Sequence, residues 1–84
     1  MSTKDVYLLK RVEKIDGKVL PDVILNVYFT EDEAKDALKS ESRRWDRINW
    51  DRHVAEKSIV FTWMHDEKVD FCVFMITKAS LVEP

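Results

Sequence analysis

The side chains best suited to covalent or metal chemistry in this sequence are few: Cys72, His53 and His65, set among many carboxylates. A zinc site needs about four Cys, His or carboxylate ligands in paired spacing, and these three residues lack it. Nucleophilic catalysis by Cys72 requires an activating base and an accessible, electropositive setting. Its place between Phe71 and Val73 in a strand-like run suits a small buried hydrophobe instead. His65 stands next to Asp66 and Glu67 where a hairpin turn is expected, and a solvated turn accounts for all three. The sole glycine, Gly17, excludes a glycine-rich phosphate loop, which needs several glycines for close backbone approach. The expectation is therefore a protein that is not an enzyme, with no cofactor, no metal and no catalytic residue.

Binding chemistry is concentrated in residues 42–53, SRRWDRINWDRH, which hold four of the five arginines and two of the three tryptophans. None of the nine lysines lies between residues 40 and 56, although lysine would serve equally well to offset a helix dipole. Arginine and tryptophan are the types enriched at binding hot spots, because they combine contact area with directional bonding. In a continuous helix Trp45 and Trp50 point roughly 140° apart. Trp45 then belongs to the core stripe and Trp50 is left exposed. The stretch reads as a protein-binding patch of Arg43, Arg47, Trp50 and Arg52, against the plainer reading of a solvated helix end with Arg–Asp pairs. Single-stranded nucleic-acid binding is the alternative, with Trp50, Tyr7 or Tyr28 as stacking platforms and the arginines on phosphates. Asp46 and Asp51 weigh against it by placing negative charge in the same patch.

Composition sets the frame for these residues. The chain has 84 residues, 45% apolar and 36% charged, with a net charge of −2. One domain of this size sits just above the point where a single core becomes marginal without staples or a partner. No global basic field favours nucleic acid or anionic membrane. The single cysteine forms no internal disulfide, and neither a signal region nor a membrane-length apolar run is present, so the expected compartment is the cytoplasm.

The elements follow from pattern. DVYLLKRVEKI and VLPDVILNVYF flank Asp16-Gly17, a dipeptide suited to a type I′ turn, and predict a hairpin with Ile15 facing Lys18. In that register Val6, Leu8, Val12, Val19, Val23, Leu25 and Val27 share one face, while Tyr7, Leu9, Leu20, Ile24 and Tyr28 share the other. Pro21 lacks a ladder donor and belongs at an edge or a bulge. Thr30 with Glu33 three residues on opens a helix. Its stripe runs through Ala34, Ala37, Leu38, Trp45 and Ile48, interrupted by Glu41, and its end falls near residue 47. Residues 49–57 fit either more helix or an irregular connection. SIVFTWMHDEKVDFCVFMITKAS predicts two strands joined by a three-residue loop, Asp66-Glu67-Lys68. That loop sets Ile59, Phe61, Trp63, Phe71, Val73 and Met75 on one face and Val60, Thr62, Met64, Cys72, Phe74 and Ile76 on the other.

The fold class expected is α+β: ββαββ, a four-stranded, mainly antiparallel sheet with one long helix on one face. One helix covers one face, yet the pattern supplies apolar residues for both. The uncovered face then seeks a partner, and a homodimer joined through Cys72, Phe74 and Ile76 is the expectation. A strand followed by a T-x-x-E-A helix is common among small bacterial and phage-encoded proteins and singles out no family.

Overall fold

The structure, a computed structural model, describes residues 2–45 and 50–83. It is α+β, with β1 at Ser2–Ile15, β2 at Lys18–Val19, β3 at Val23–Tyr28, α1 at Glu31–Trp45, β4 at Asp51–Val54, β5 at Ser58–His65 and β6 at Lys68–Glu83. The six strands form one sheet in the order β2-β1-β6-β5-β4, with β3 also paired to β1 and every pairing antiparallel. Four strands were expected. The two additional ones come from a break in the second run and from β4, in the segment whose pattern was ambiguous.

The break has a local cause. Asp16 and Gly17 take positive φ angles of 53° and 81°, and Ile15 faces Lys18 as the turn chemistry requires. The ladder continues to the Leu20 amide, which donates to the Glu13 carbonyl at 2.9 Å, and stops at Pro21, which has no amide to offer. When pairing resumes it has slipped by one residue, so Val23 faces Arg11 and Ile24 faces Lys10. A second irregularity between Leu9 and Lys10 pairs Val27 with Leu8 and Tyr28 with Tyr7, two residues out of the expected register but on the expected faces. The two slips exchange the faces expected for Val23 and Ile24. Leu25, the surplus residue of the bulge, packs against the core.

Helix α1 begins where its capping residues require, with the Glu33 amide donating to Thr30 Oγ1 at 3.2 Å and three acids in its first turn. Its buried positions are Ala34, Leu38 and Ser42, spaced four apart, so the inward stripe is narrow and mostly small. Ser42 turns its hydroxyl to the Lys39 carbonyl at 2.9 Å, which satisfies it inside the contact. The helix joins β3 near one edge of the sheet to β4 at the other, and so must cross one face. Leu38 there closes a core of Leu9, Ile59, Phe61, Cys72 and Phe74.

The β5–β6 hairpin turns in two residues. His65 pairs with Lys68, and Asp66 and Glu67 both take positive φ, 47° and 62°. The expected loop had three residues, Asp66-Glu67-Lys68; the turn closes in two, although glutamate is a poor residue for a left-handed position. The difference of one residue reverses the face of all of β6 relative to β5. Ile59 thus faces Phe74, Phe61 faces Cys72 and Trp63 faces Asp70. This corrects the expectation for Cys72, Phe74 and Ile76: Cys72 and Phe74 lie fully buried under the helix and Ile76 packs beside them, so none lines the uncovered face.

The opposite face carries Val6, Leu8 and Val12 of β1, Phe71, Val73 and Met75 of β6, and Val60 and Met64 of β5, by the alternation of these registers. Among the described residues, α1 is the only helix, and it packs on the other face. On this face Met64 is 79% exposed and Val27 45%, Leu8, Val12, Val60, Phe71, Val73 and Met75 are half-buried, and Val6 is buried.

Candidate functional site: a tryptophan cleft and an open sheet face

Strand register and the end of the helix place the chemically informative residues together at one end of the covered face. β1 contributes Glu13 and Ile15, β6 contributes Asp70, and β5 contributes Trp63 and His65, which share a face because they are two residues apart. Trp45, the last helical residue, and Trp50, just before β4, overhang them. The result is a cleft of about 350 Å³ lined by Glu13, Ile15, Trp45, Trp50, Trp63 and Asp70.

The rings form a continuous series. His65 stacks on Trp63 with centroids 3.8 Å apart and planes 17° from parallel. Trp63 lies 5.7 Å from Trp50, and Trp50 meets Trp45 at 4.7 Å with planes at 90°. Trp45 in turn rests on Phe61 at 5.4 Å, and Phe61 on Phe74 at 6.2 Å, linking the cleft to the core. Offset and edge-to-face contacts of this kind add about 0.5–1.5 kcal/mol each beyond area burial.

Asp70 organises the end of the sheet. It is buried, yet its carboxylate is answered on both oxygens: His65 Nε2 lies 2.7 Å from Oδ2, and the Gly17 amide donates to Oδ1 at 3.4 Å. The hydrogen bond from His65 leads in holding the Asp70 pKa below the ordinary carboxylate value, against the opposing effect of burial, with the Asp16 and Gly17 backbone adding to it. One carboxylate thereby ties the β1–β2 turn to the β5–β6 turn. Lys68 and Asp16, 3.8 Å apart, span the same gap at the surface. Glu13 pairs with Arg11 Nε in an ion pair that lacks hydrogen-bond angles.

The imidazole faces Asp70 through Nε2 and Asp66 through Nδ1 at 3.7 Å, while one ring face is covered by Trp63. Cys72 has no exposure. This arrangement suits a structural histidine better than a general base beside a nucleophile, which must reach substrate. Among the described residues, no group of three or more His, Cys, Asp or Glu side chains is placed to hold a metal ion. His53 is exposed on β4, away from His65.

The stretch from residue 42 to 53 is split between elements. Arg43 and Arg44 are exposed in the last helical turn, Arg44 within 3.9 Å of Glu41. Arg52 is exposed on β4, whose four residues are all exposed. Arg47 and Ile48 lie outside the described residues. Trp50 corrects the expectation of an exposed ring: it is half-buried against Trp45 and Trp63. The sequence signal for the cleft was the pairing of Trp63 with Asp70, hidden by the one-residue difference in loop length.

Away from the cleft, ion pairs fix the start of the helix to the β4–β5 connection. Lys35 lies 3.1 Å from Glu56 and 3.5 Å from Glu31, and Lys57 lies 3.4 Å from Glu31. The bond from Lys57 leads in lowering the Glu31 pKa, and that to Glu56 leads in raising the Lys35 pKa. These groups are accessible to solvent and act mainly on orientation.

Comparison with protein-family models, with curated proteins and with solved structures finds no significant match. No helix among the described residues is long and apolar enough to cross a membrane.

Proposed function

We propose that this protein is a small non-enzymatic interaction protein that works as a homodimer, two copies packing through their open sheet faces, and presents its exposed arginines to a macromolecular partner. The observation that carries the reading is the apolar face of the sheet left without a covering element. A sheet must bury its apolar face against another layer, and two such faces stack at about 10 Å as in a β-sandwich.

Size and shape support a second copy as the occupant. The radius of gyration is 14.7 Å and the extents are 53 × 23 × 17 Å, whereas a compact domain of 84 residues has a radius near 12 Å. The accessible surface is 5987 Å², against about 5,200 Å² for an ordinary 10.0 kDa monomer. The thirteen paired rows of β1 and β6 make the face about 43 Å long, and four strands make it about 19 Å wide. Because β5 pairs over eight rows and β3 over five, the face covers about 600 Å², toward the low end of what one partner buries in a standard stable interface. Lys10 and Lys14, both half-buried, interrupt this face on β1, and their stems are apolar.

In this reading Arg43 and Arg52, both exposed, contact the macromolecular partner, joined by Arg47 from the same stretch. Trp50 acts from the cleft rather than from the surface. The same arginines keep single-stranded nucleic acid as the alternative partner, although Glu13 and Asp70 in the cleft repel phosphate. The test is sedimentation of the wild type and of Val73→Asp at micromolar concentration. The reading expects a dimer for the wild type and a folded monomer for the variant. A wild type that is monomeric throughout, with Val73→Asp unchanged in mass and melting, overturns it. Salt-sensitive capture of an oligonucleotide lost in Arg43→Ala and Arg52→Ala favours the alternative.

A further inference from the structure

We propose that the cleft between Trp45, Trp50 and Trp63 binds an organic cation of the methylated-ammonium class. The inference is independent of the dimer, because the cleft lies on the helix-covered face.

Three features of the site converge on this chemistry. First, its walls are indoles, the aromatic rings with the strongest attraction for cations over their faces. Trp45 and Trp50 meet edge to face at 90°, and Trp63, one face of which is covered by His65, adjoins Trp50 at an interplanar angle of 37°, so the indoles lining the cleft differ in orientation rather than forming one flat platform. A rounded cation touches several such faces at once, whereas a planar base stacks on only one. Second, the polar lining of the cleft is two carboxylates, Glu13 and Asp70. Among the described residues, Arg11 is paired to Glu13 and His65 is bonded to Asp70. Carboxylates as the polar lining favour a cation over phosphate. Third, the space of about 350 Å³ lies at the lower end of small-molecule sites and suits a compact headgroup.

A methylated ammonium fits better than a bare one. Its methyl groups make apolar contact with the indoles and with Ile15, and it gives up less hydration on entering a cleft whose carboxylates are already engaged. Such a group is carried both by free quaternary amines and by methylated lysine side chains, and the walls recognise the shared chemistry.

The experiment is a titration of the full chain with tetramethylammonium chloride, followed by tryptophan fluorescence and by the indole N–H signals in NMR. Tert-butanol serves as the uncharged analogue of similar shape, and sodium chloride as the ionic-strength control. The expected result is saturable quenching by tetramethylammonium, with neither control saturating. Glu13→Gln should weaken binding several-fold while retaining the fold, and Trp63→Leu should weaken it about tenfold or more. Because Trp63→Leu also removes the stack under His65, Glu13→Gln keeps the test decisive if the tryptophan variant unfolds. Choline and a short peptide containing trimethyl-lysine then distinguish the two sources: tighter binding of the peptide points to a protein tail, equal binding to a free amine. Equal responses to tetramethylammonium and tert-butanol, no saturation, or tighter binding of thymidine monophosphate overturn the proposal.

Discussion

At the scale of single residues, Asp70 and Trp50 carry the most testable consequences. Asp70 is buried with its charge satisfied by His65 and by the amide of Gly17. Its folded pKa is depressed, so its contribution to stability is complete above the unfolded value near 4 and is lost as pH falls through the lower folded value. Asp70→Asn should lower the denaturant midpoint at neutral pH, and the gap to wild type should narrow as both are acidified below about pH 4. A pH-independent gap, or none, would place the structural role elsewhere. Trp50 was expected to be an exposed member of the binding patch next to a structural Trp45, but the rings contact each other. Trp50→Ala should therefore cost about 2 kcal/mol, less than a fully buried tryptophan because the ring is only half-buried, and thermal melts check it. The pattern of residues 42–53 made both tryptophans noticeable, but nothing in it showed that their rings meet.

At the scale of elements, local chemistry was legible wherever one residue type is uniquely suited to its place. Thr30 with Glu33 fixed the helix start, Asp16-Gly17 fixed the first turn, and Pro21 marked the interrupted edge. It was misleading at Asp66-Glu67, where the turn holds a glutamate at φ 62°. Tertiary contacts decide that turn: its two-residue length aligns Trp63 with Asp70 and Phe61 with Cys72 under the helix. A longer loop would send Cys72 and Phe74 out of the core. The strain at Glu67 predicts that Glu67→Gly stabilises the protein by about 1 kcal/mol, read as a rise in denaturant midpoint with an unchanged slope. β4 escaped notice because Asp51–Val54, with an aspartate, an arginine and a histidine, has the composition of a loop. Those same charged side chains suit an edge strand, since they discourage further strand pairing.

At the scale of the whole molecule, the α+β class and the surplus of apolar residues over what one helix covers were both readable from alternation. The identity of the residues on each face was not, because two slips in the first hairpin and one in the last reassign them. In the proposed dimer the contact falls to Val12, Val73, Met75 and their neighbours on the uncovered face, whereas Cys72, Phe74 and Ile76 face the helix. An elongated chain with a small core and one apolar face gains most from association, since a partner supplies the missing layer. The most direct measurement of this claim is equilibrium sedimentation across a concentration series, run on wild type and on Val73→Asp in parallel. The account predicts a monomer–dimer equilibrium for the wild type, with the dimer prevailing at micromolar concentration, and a variant that sediments as a monomer while keeping its circular dichroism spectrum. A wild type of monomer mass at every concentration would contradict it.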